Sequence, residues 1–311
     1  MDKPNQAESA RESASGTHGA AATVEANGIA LHYDSFGDPS APPLLLIMGL
    51  ATQMIAWDEA FCAELASRGY WVIRFDNRDI GLSQRFDEKG VPNIMALLPS
   101  VLLGKRVDAP YTLADMADDA IGLLDTLKIR AAHVVGASMG GAIGQEMAIH
   151  HPERLLTLTS IMSSTGEPGL PPPTPEALQV LLTPAPTDRD AYLDSHARTY
   201  KVLRGPGFPI DEARDRERAE RVFARGLNPA GAARQLVAVF ASGSRKAALA
   251  TVSVPTLVIH GDADPLIPVA CGTATANAIP GAELLIIEGM GHALPISMWP
   301  RIIEAIAQHA A

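Results

Sequence analysis

His133-Val134-Val135-Gly136-Ala137-Ser138-Met139-Gly140 is the stretch on which the reading of this chain turns. A short apolar run enters it, helix-like sequence leaves it, and a glycine-framed serine stands between them. A strand that passes straight into a helix must bend sharply, and the residue at the bend takes strained backbone that holds its side chain clear of the main chain. The flanking glycines let strand, turn and helix approach without collisions. The helix beyond aims its positive end at the serine, where it stabilises developing negative charge. Ser138 is therefore expected to be an exposed nucleophile at the carboxyl edge of a sheet, against the competing reading of a merely tight turn.

A serine hydroxyl is a weak nucleophile at neutral pH and needs a base near pKa 7, which in turn needs a partner to fix its tautomer. Asp264 lies in His260-Gly261-Asp262-Ala263-Asp264-Pro265, just past an apolar strand, and His292 lies in Gly289-Met290-Gly291-His292-Ala293, past the next one. Functional loops gather at the carboxyl ends of such strands. Asp262 competes for the acid's role, but its distance from the strand and the following Pro265-Leu266-Ile267-Pro268 favour Asp264. Of the nine histidines, His32 and His133 fall in or beside strands, and His150 and His151 precede Pro152 at a helix end, so structural roles are expected for them. Two donors for an oxyanion complete the set: the backbone N–H of Met139 and that of Leu50, in the loop after the strand ending at Met48.

Outward from these loops the rhythm is one of strands and helices. Asn27-Gly28 between Val24–Ala26 and Ala30–Phe36 predicts a hairpin. Apolar runs at Leu44–Met48, Trp71–Phe75, His133–Val135, Leu156–Ile161, Thr256–His260 and Leu284–Ile287 read as parallel strands covered on both faces. Helical periods intervene: Trp57, Phe61 and Leu65 before Gly69; Leu113 to Leu127 behind a Thr112/Asp115 capping pair; and Ile302, Ile303 and Ile306 after Pro300. The pattern predicts an α/β fold with a mostly parallel, doubly wound sheet. Residues 1–22 read as a flexible tail, 23–162 and 250–311 as the core, and the strand-free, helical stretch 163–249 as an inserted cap.

The ordered set Ile47-Met48-Gly49-Leu50, Asp76 to Ser83, Gly136 to Gly140, Gly261 to Asp264 and Gly289 to His292 resembles the α/β-hydrolase fold family. Within it the chain is most similar to the capped carboxylesterases that include aclacinomycin methylesterase, which share Met-Gly at the oxyanion loop and Gly-Met-Gly-His-Ala-Leu-Pro around the histidine. The resemblance implies an ester substrate, with Leu50 and Met139 as oxyanion donors. It departs from many relatives in Met48, where they carry histidine; the backbone donor is unaffected. In such relatives the loop Asp76 to Ser83 braces the active-site turns with Asp and Arg pairing locally, and the same structural role, rather than substrate contact, is expected here.

A serine at position 138 excludes the aspartate-nucleophile branches of this fold, the haloalkane dehalogenases and epoxide hydrolases. The expectation is a serine carboxylesterase acting on a small, apolar substrate through an acyl-enzyme, with no cofactor and no metal. A lactonase, a C–C hydrolase or a cofactor-free perhydrolase would use the same residues, and a non-catalytic ligand receptor is the alternative from another class. The net charge of −10 disfavours nucleic acid and anionic membranes as partners. Asp211 to Arg221, with five acids and four arginines, reads as a solvated helix laced by short-range pairs. The apolar run Ile94–Leu103, broken by Pro99, is too short to span a bilayer, and lines a pocket or packs the cap. Cys62 and Cys271 match no metal or redox spacing and are expected to be free thiols. The N-terminal stretch lacks a secretory h-region, so a cytoplasmic location is expected; oligomeric state is not readable.

Overall fold

The computed structural model of this protein describes residues 18–103, 105 and 107–311. Its strands are β1 (His18–Ala26), β2 (Ile29–Phe36), β3 (Pro43–Ile47), β4 (Trp71–Phe75), β5 (Ala132–Ala137), β6 (Leu155–Ile161), β7 (Thr256–Gly261) and β8 (Glu283–Ile287). They form one sheet in the order β1-β2-β4-β3-β5-β6-β7-β8. β1, β2 and β4 pair antiparallel; from β4 to β8 every neighbouring pair is parallel.

The helices of the core are α1 (Glu59–Ser67), α2 (Ile94–Leu102), α3 (Leu113–Thr126) and α4 (Met139–His150), then α10 (Val269–Ala278) and α11 (Trp299–His309) near the end of the chain. Between β6 and β7 come α5 (Pro175–Leu182), α6 (Arg189–Leu203), α7 (Glu212–Ala224), α8 (Pro229–Ser242) and α9 (Lys246–Leu249). Local chemistry accounts for many of these boundaries. Asn27 and Gly28 both take positive φ, 50° and 73°, as a two-residue hairpin turn requires. Thr112 and Asp115 form a reciprocal capping box at the start of α3. Two apolar layers sandwich the sheet. Leu45, Ile47, Ile73 and Val134 pack against α3 and α4 on one face; Leu44, Leu46, Val72 and Val135 pack against α1 and α11 on the other.

Three expectations need correction. β1 begins at His18, so residues 18–22, read as tail, are paired strand. Gly19-Ala20-Ala21-Ala22 shows no apolar alternation to announce it, and the strand is specified by β2 and by the His18 ring stacking on Phe36 at 4.3 Å. β8 is not covered on both faces: it is the edge of the sheet, and Leu284 and Ile286 are exposed. The charged run is indeed helical, as α7, but only part of its pairing is short-range, such as Arg216 with Glu220 at 3.5 Å. Arg214 reaches Asp58 at 2.6 Å and Arg221 reaches Glu59 at 3.0 Å, tying α7 to the start of α1. Among the described residues, no helix is long and apolar enough to cross a membrane, and Cys62 and Cys271 are buried free thiols.

Candidate active site

Ser138 stands between β5 and α4 with φ 56° and ψ −119°. This left-handed conformation costs a non-glycine residue about 1–3 kcal/mol, which its surroundings must supply. They do so by close packing: a Cβ on Gly136 would lie 2.1 Å from the Gly140 carbonyl oxygen, and one on Gly140 would lie 2.1 Å from that of Ile47. Each flanking glycine is therefore dictated by backbone approach. The Ser138 N–H donates to the Ile161 carbonyl at 2.9 Å, fixing the turn to β6.

Two further loops converge on this turn. Asp264 follows β7, its carboxylate fully buried, and its Oδ1 accepts the N–H groups of Leu266 and Ile267 at 2.9 and 2.8 Å. The other oxygen, Oδ2, meets His292 Nδ1 at 2.7 Å. His292, after β8, presents Nε2 to Ser138 Oγ at 2.9 Å. Hydroxyl, imidazole and carboxylate thus form one hydrogen-bonded row. Asp262, the rival acid, turns elsewhere and accepts the Gly289 N–H at 2.6 Å, bracing the loop that carries His292. The other histidines considered lie away from the row: His32 and His133 bond to Thr23 and Thr157 across neighbouring strands, His151 bonds to Asp118, and His150 pairs with Glu146.

The loop after β3 packs against the same turn. Gly49 packs against the serine so tightly that a Cβ there would lie 3.0 Å from Ser138 Cβ. Asn77 Nδ2 donates to the Met48 carbonyl at 3.0 Å, and Thr52 Oγ1 to the Leu50 carbonyl at 2.9 Å. Among the described residues, no acceptor takes the backbone N–H of Leu50 or that of Met139, the first residue of α4. The positive end of α4 adds to the field at the serine.

The Asp76 to Ser83 loop braces these turns, but not by pairing its own Asp and Arg. Arg78 forks onto Asp119 at 2.6 and 2.7 Å, and Asp79 takes a two-pronged bond from Arg234 at 2.8 and 2.7 Å. Asp76 holds the N–H groups of Met54 and Leu82 at 2.7 and 3.0 Å and bonds Arg225. Three contributors carried no signal in the sequence. Gln235 of α8 reaches the loop after β3 at Ala51. The Leu203–Gly207 segment after α6 accepts the His292 and Gly291 N–H groups on its Leu203 and Arg204 carbonyls at 2.6 and 2.9 Å, and donates its Gly207 N–H to Gly289 at 3.1 Å. His260, a fully buried imidazole 3.6 Å from Asp264 Oδ2, donates Nε2–H to the Ile267 carbonyl at 2.7 Å and so ties down the acid loop. Burial holds the His260 pKa below its ordinary value. Its place in an apolar strand run gave no hint of this. Among the described residues, no group of three or more His, Cys, Asp or Glu side chains is arranged to hold a metal ion.

Comparison with known proteins agrees with this architecture. The family described as alpha/beta hydrolase fold matches residues 42–297. The chain is 35% identical over 305 residues to rhodomycin D methylesterase DauP of Streptomyces sp. (strain C5), covering 90% of this chain and 95% of that protein. It is 28% identical to 3-oxoadipate enol-lactonase 2 of Acinetobacter baylyi, over 86% of this chain and 88% of that one. Among solved structures, esterase RhEst1 from Rhodococcus sp. ECU1013 superposes with a TM-score of 0.70 at 19% identity, covering 95% of this chain and 98% of that one, a likeness of fold. A match over most of its length, and such identity along nine-tenths of it, place this protein in the alpha/beta hydrolase fold family.

Proposed function

We propose that this protein hydrolyses carboxylic esters of a small, apolar substrate, with Ser138 as nucleophile, His292 as general base and acid, and Asp264 as the carboxylate that orients and stabilises the imidazole. The observation that carries the proposal is the row Asp264–His292–Ser138, at 2.7 and 2.9 Å, together with Leu50 and Met139 N–H groups that have no acceptor among the described residues. In the first half-reaction His292 Nε2 takes the hydroxyl proton as Ser138 Oγ bonds to the ester carbonyl carbon. The negative charge that forms on the carbonyl oxygen is held by the Leu50 and Met139 N–H groups at the positive end of α4. The ester C–O bond then breaks, His292 returns the proton to the leaving alkoxide, and an acyl group remains on Ser138. Water, deprotonated by His292, attacks that acyl group, and the acid product leaves with Ser138 restored.

No step calls on a cofactor. Segment 163–249 serves as a helical cap over the site. The methylesterase relative makes methyl esters the first substrates to try, and the enol-lactonase relative adds lactones, which are cyclic esters open to the same attack. The decisive experiment is a panel of p-nitrophenyl and methyl esters of rising acyl length, with a lactone included, run on the wild type and on Ser138→Ala. Turnover by the wild type and its loss in the variant is expected, as is a fluorophosphonate adduct mapped by mass spectrometry to Ser138. Activity that survives the substitution discards the nucleophile. Tight ligand binding without turnover or labelling favours a receptor.

A further inference from the structure

Gln235 is fully buried, although it lies on α8, outside the three loops that meet at Ser138. Its side chain bridges two of the site's supports: Oε1 accepts the Ala51 N–H at 2.9 Å, and Nε2 donates to the Arg78 carbonyl at 2.8 Å. The bridge therefore joins the oxyanion loop to the Asp76 to Ser83 loop through a residue 184 positions from the first and 157 from the second. Ala51, which it holds, has φ 55°, a left-handed conformation that alanine adopts only under restraint. One residue earlier is Leu50, whose N–H has no acceptor among the described residues.

We propose that Gln235 is a positioning residue for the oxyanion site: by fixing the Ala51 peptide it sets the direction of the Leu50 N–H. The proposal rests on the ester-hydrolase reading above. Asn77 anchors the Met48 carbonyl on one side of Leu50, and Gln235 anchors the Ala51 N–H on the other. With both ends held, the Leu50 peptide has little freedom left, and its N–H is aimed before substrate arrives. An oxyanion donor is effective when it needs no reorganisation as charge develops. The near anchor belongs to the core, whereas the far one is supplied by the helical insert.

The test is Gln235→Met, which keeps the volume and removes both hydrogen bonds, with Gln235→Leu as a second variant that removes the same two bonds with a smaller side chain. Loss of an oxyanion donor outright lowers kcat by about 100- to 1000-fold, so a misaimed one is expected to lower it by about 10- to 100-fold. KM should change by less than about threefold, since substrate and transition state share the remaining contacts. Affinity for a trifluoromethyl ketone analogue of the best ester, which forms a tetrahedral oxyanion on Ser138, should fall in parallel with kcat/KM. Affinity for the product alcohol should not. Unchanged kcat with a raised KM, or unchanged analogue affinity, overturns the positioning role. If Gln235→Met does not fold, the same criteria are applied to Gln235→Leu. Wild-type labelling of Ser138 by a fluorophosphonate, with turnover, separates the two readings: if the wild type neither labels nor turns over, the ester-hydrolase reading has failed, and Gln235 loses its role with it.

Discussion

Arg234→Met offers a measurable check on the claim that the Asp76 to Ser83 loop is a brace. Arg234 and Asp79 are both fully buried and joined by two parallel hydrogen bonds of 2.8 and 2.7 Å. Removing one partner of a buried pair costs about 3–5 kcal/mol, because the other charge stays in the interior. Asp79 would keep the Phe86 N–H at 2.9 Å and the Tyr111 hydroxyl at 2.7 Å, which places the cost near the lower end, about 3 kcal/mol. With an unfolding entropy of about 2.1 cal/mol/K per residue, a chain this long loses about 0.6 kcal/mol/K at its midpoint, so Tm should drop by about 5 °C. Burial by itself raises the Asp79 pKa, but the Arg234 guanidinium, the Phe86 N–H and the Tyr111 hydroxyl together hold it below the ordinary 3.8. A depressed carboxylate contributes stability above its unfolded value, and that contribution is lost as pH falls through the folded one. In the variant the guanidinium that lowered the Asp79 pKa is gone, so the carboxyl takes a proton more readily than in the wild type. The deficit against wild type should therefore shrink as pH drops toward the ordinary carboxylate range. Replacing Asp79 with Asn in the Arg234→Met background removes the stranded charge and should recover much of the loss. Melting curves by circular dichroism at pH 7 and pH 5 decide the matter. A shift under about 1 °C at pH 7, or a deficit that grows in acid, would mean that the Arg234–Asp79 pair does not brace the loop.

Two other expectations concern the helical segment between β6 and β7. In Gly207→Ala the new Cβ would lie 2.5 Å from Gly289 Cα, forcing the Leu203–Gly207 strap away from the loop that carries His292. A displacement near 1 Å at a reacting group can cost about 100-fold, so kcat on the best ester should fall at least about tenfold; a wild-type kcat would show that the strap does not position His292 for the proposed reaction. His196, on α6, has its pKa lowered from 6.5 to about 4, chiefly by burial and then by Arg218 and Arg204, with Asp215 opposing. The unfolded chain takes up this proton first, so the contribution is complete above about pH 6.5 and is lost as pH falls toward 4, on the order of 3 kcal/mol at the end of that window. His196→Phe should flatten the wild-type decline in Tm between pH 7 and 4.5, and parallel curves for the two proteins would count against it.

What the sequence determined by itself is local. Asn27-Gly28 specified its hairpin because both residues tolerate positive φ, Thr112 and Asp115 specified a capping box three residues apart, and unbroken apolar runs marked the parallel strands. The serine framed by Gly136 and Gly140 was legible for the same reason: strand, turn and helix are contiguous, and the glycines mark where backbones touch. Asp264 and His292 could be nominated from their positions after successive strands. Tertiary structure decided whatever depended on surfaces from distant parts of the chain meeting. Arg78 and Asp79 are neighbours in sequence, yet their partners are Asp119 and Arg234, and no local spacing distinguishes those from other charged side chains. Gln235 sits in an ordinary helical stretch, and the carbonyls of Leu203 and Arg204 belong to backbone that any residue would supply. Periodicity records which face of an element is buried, not what it is buried against. Contacts between such distant parts of the chain are set when the inserted helices pack onto the sheet, and the supports of the Ala51 and His292 loops are made in that packing.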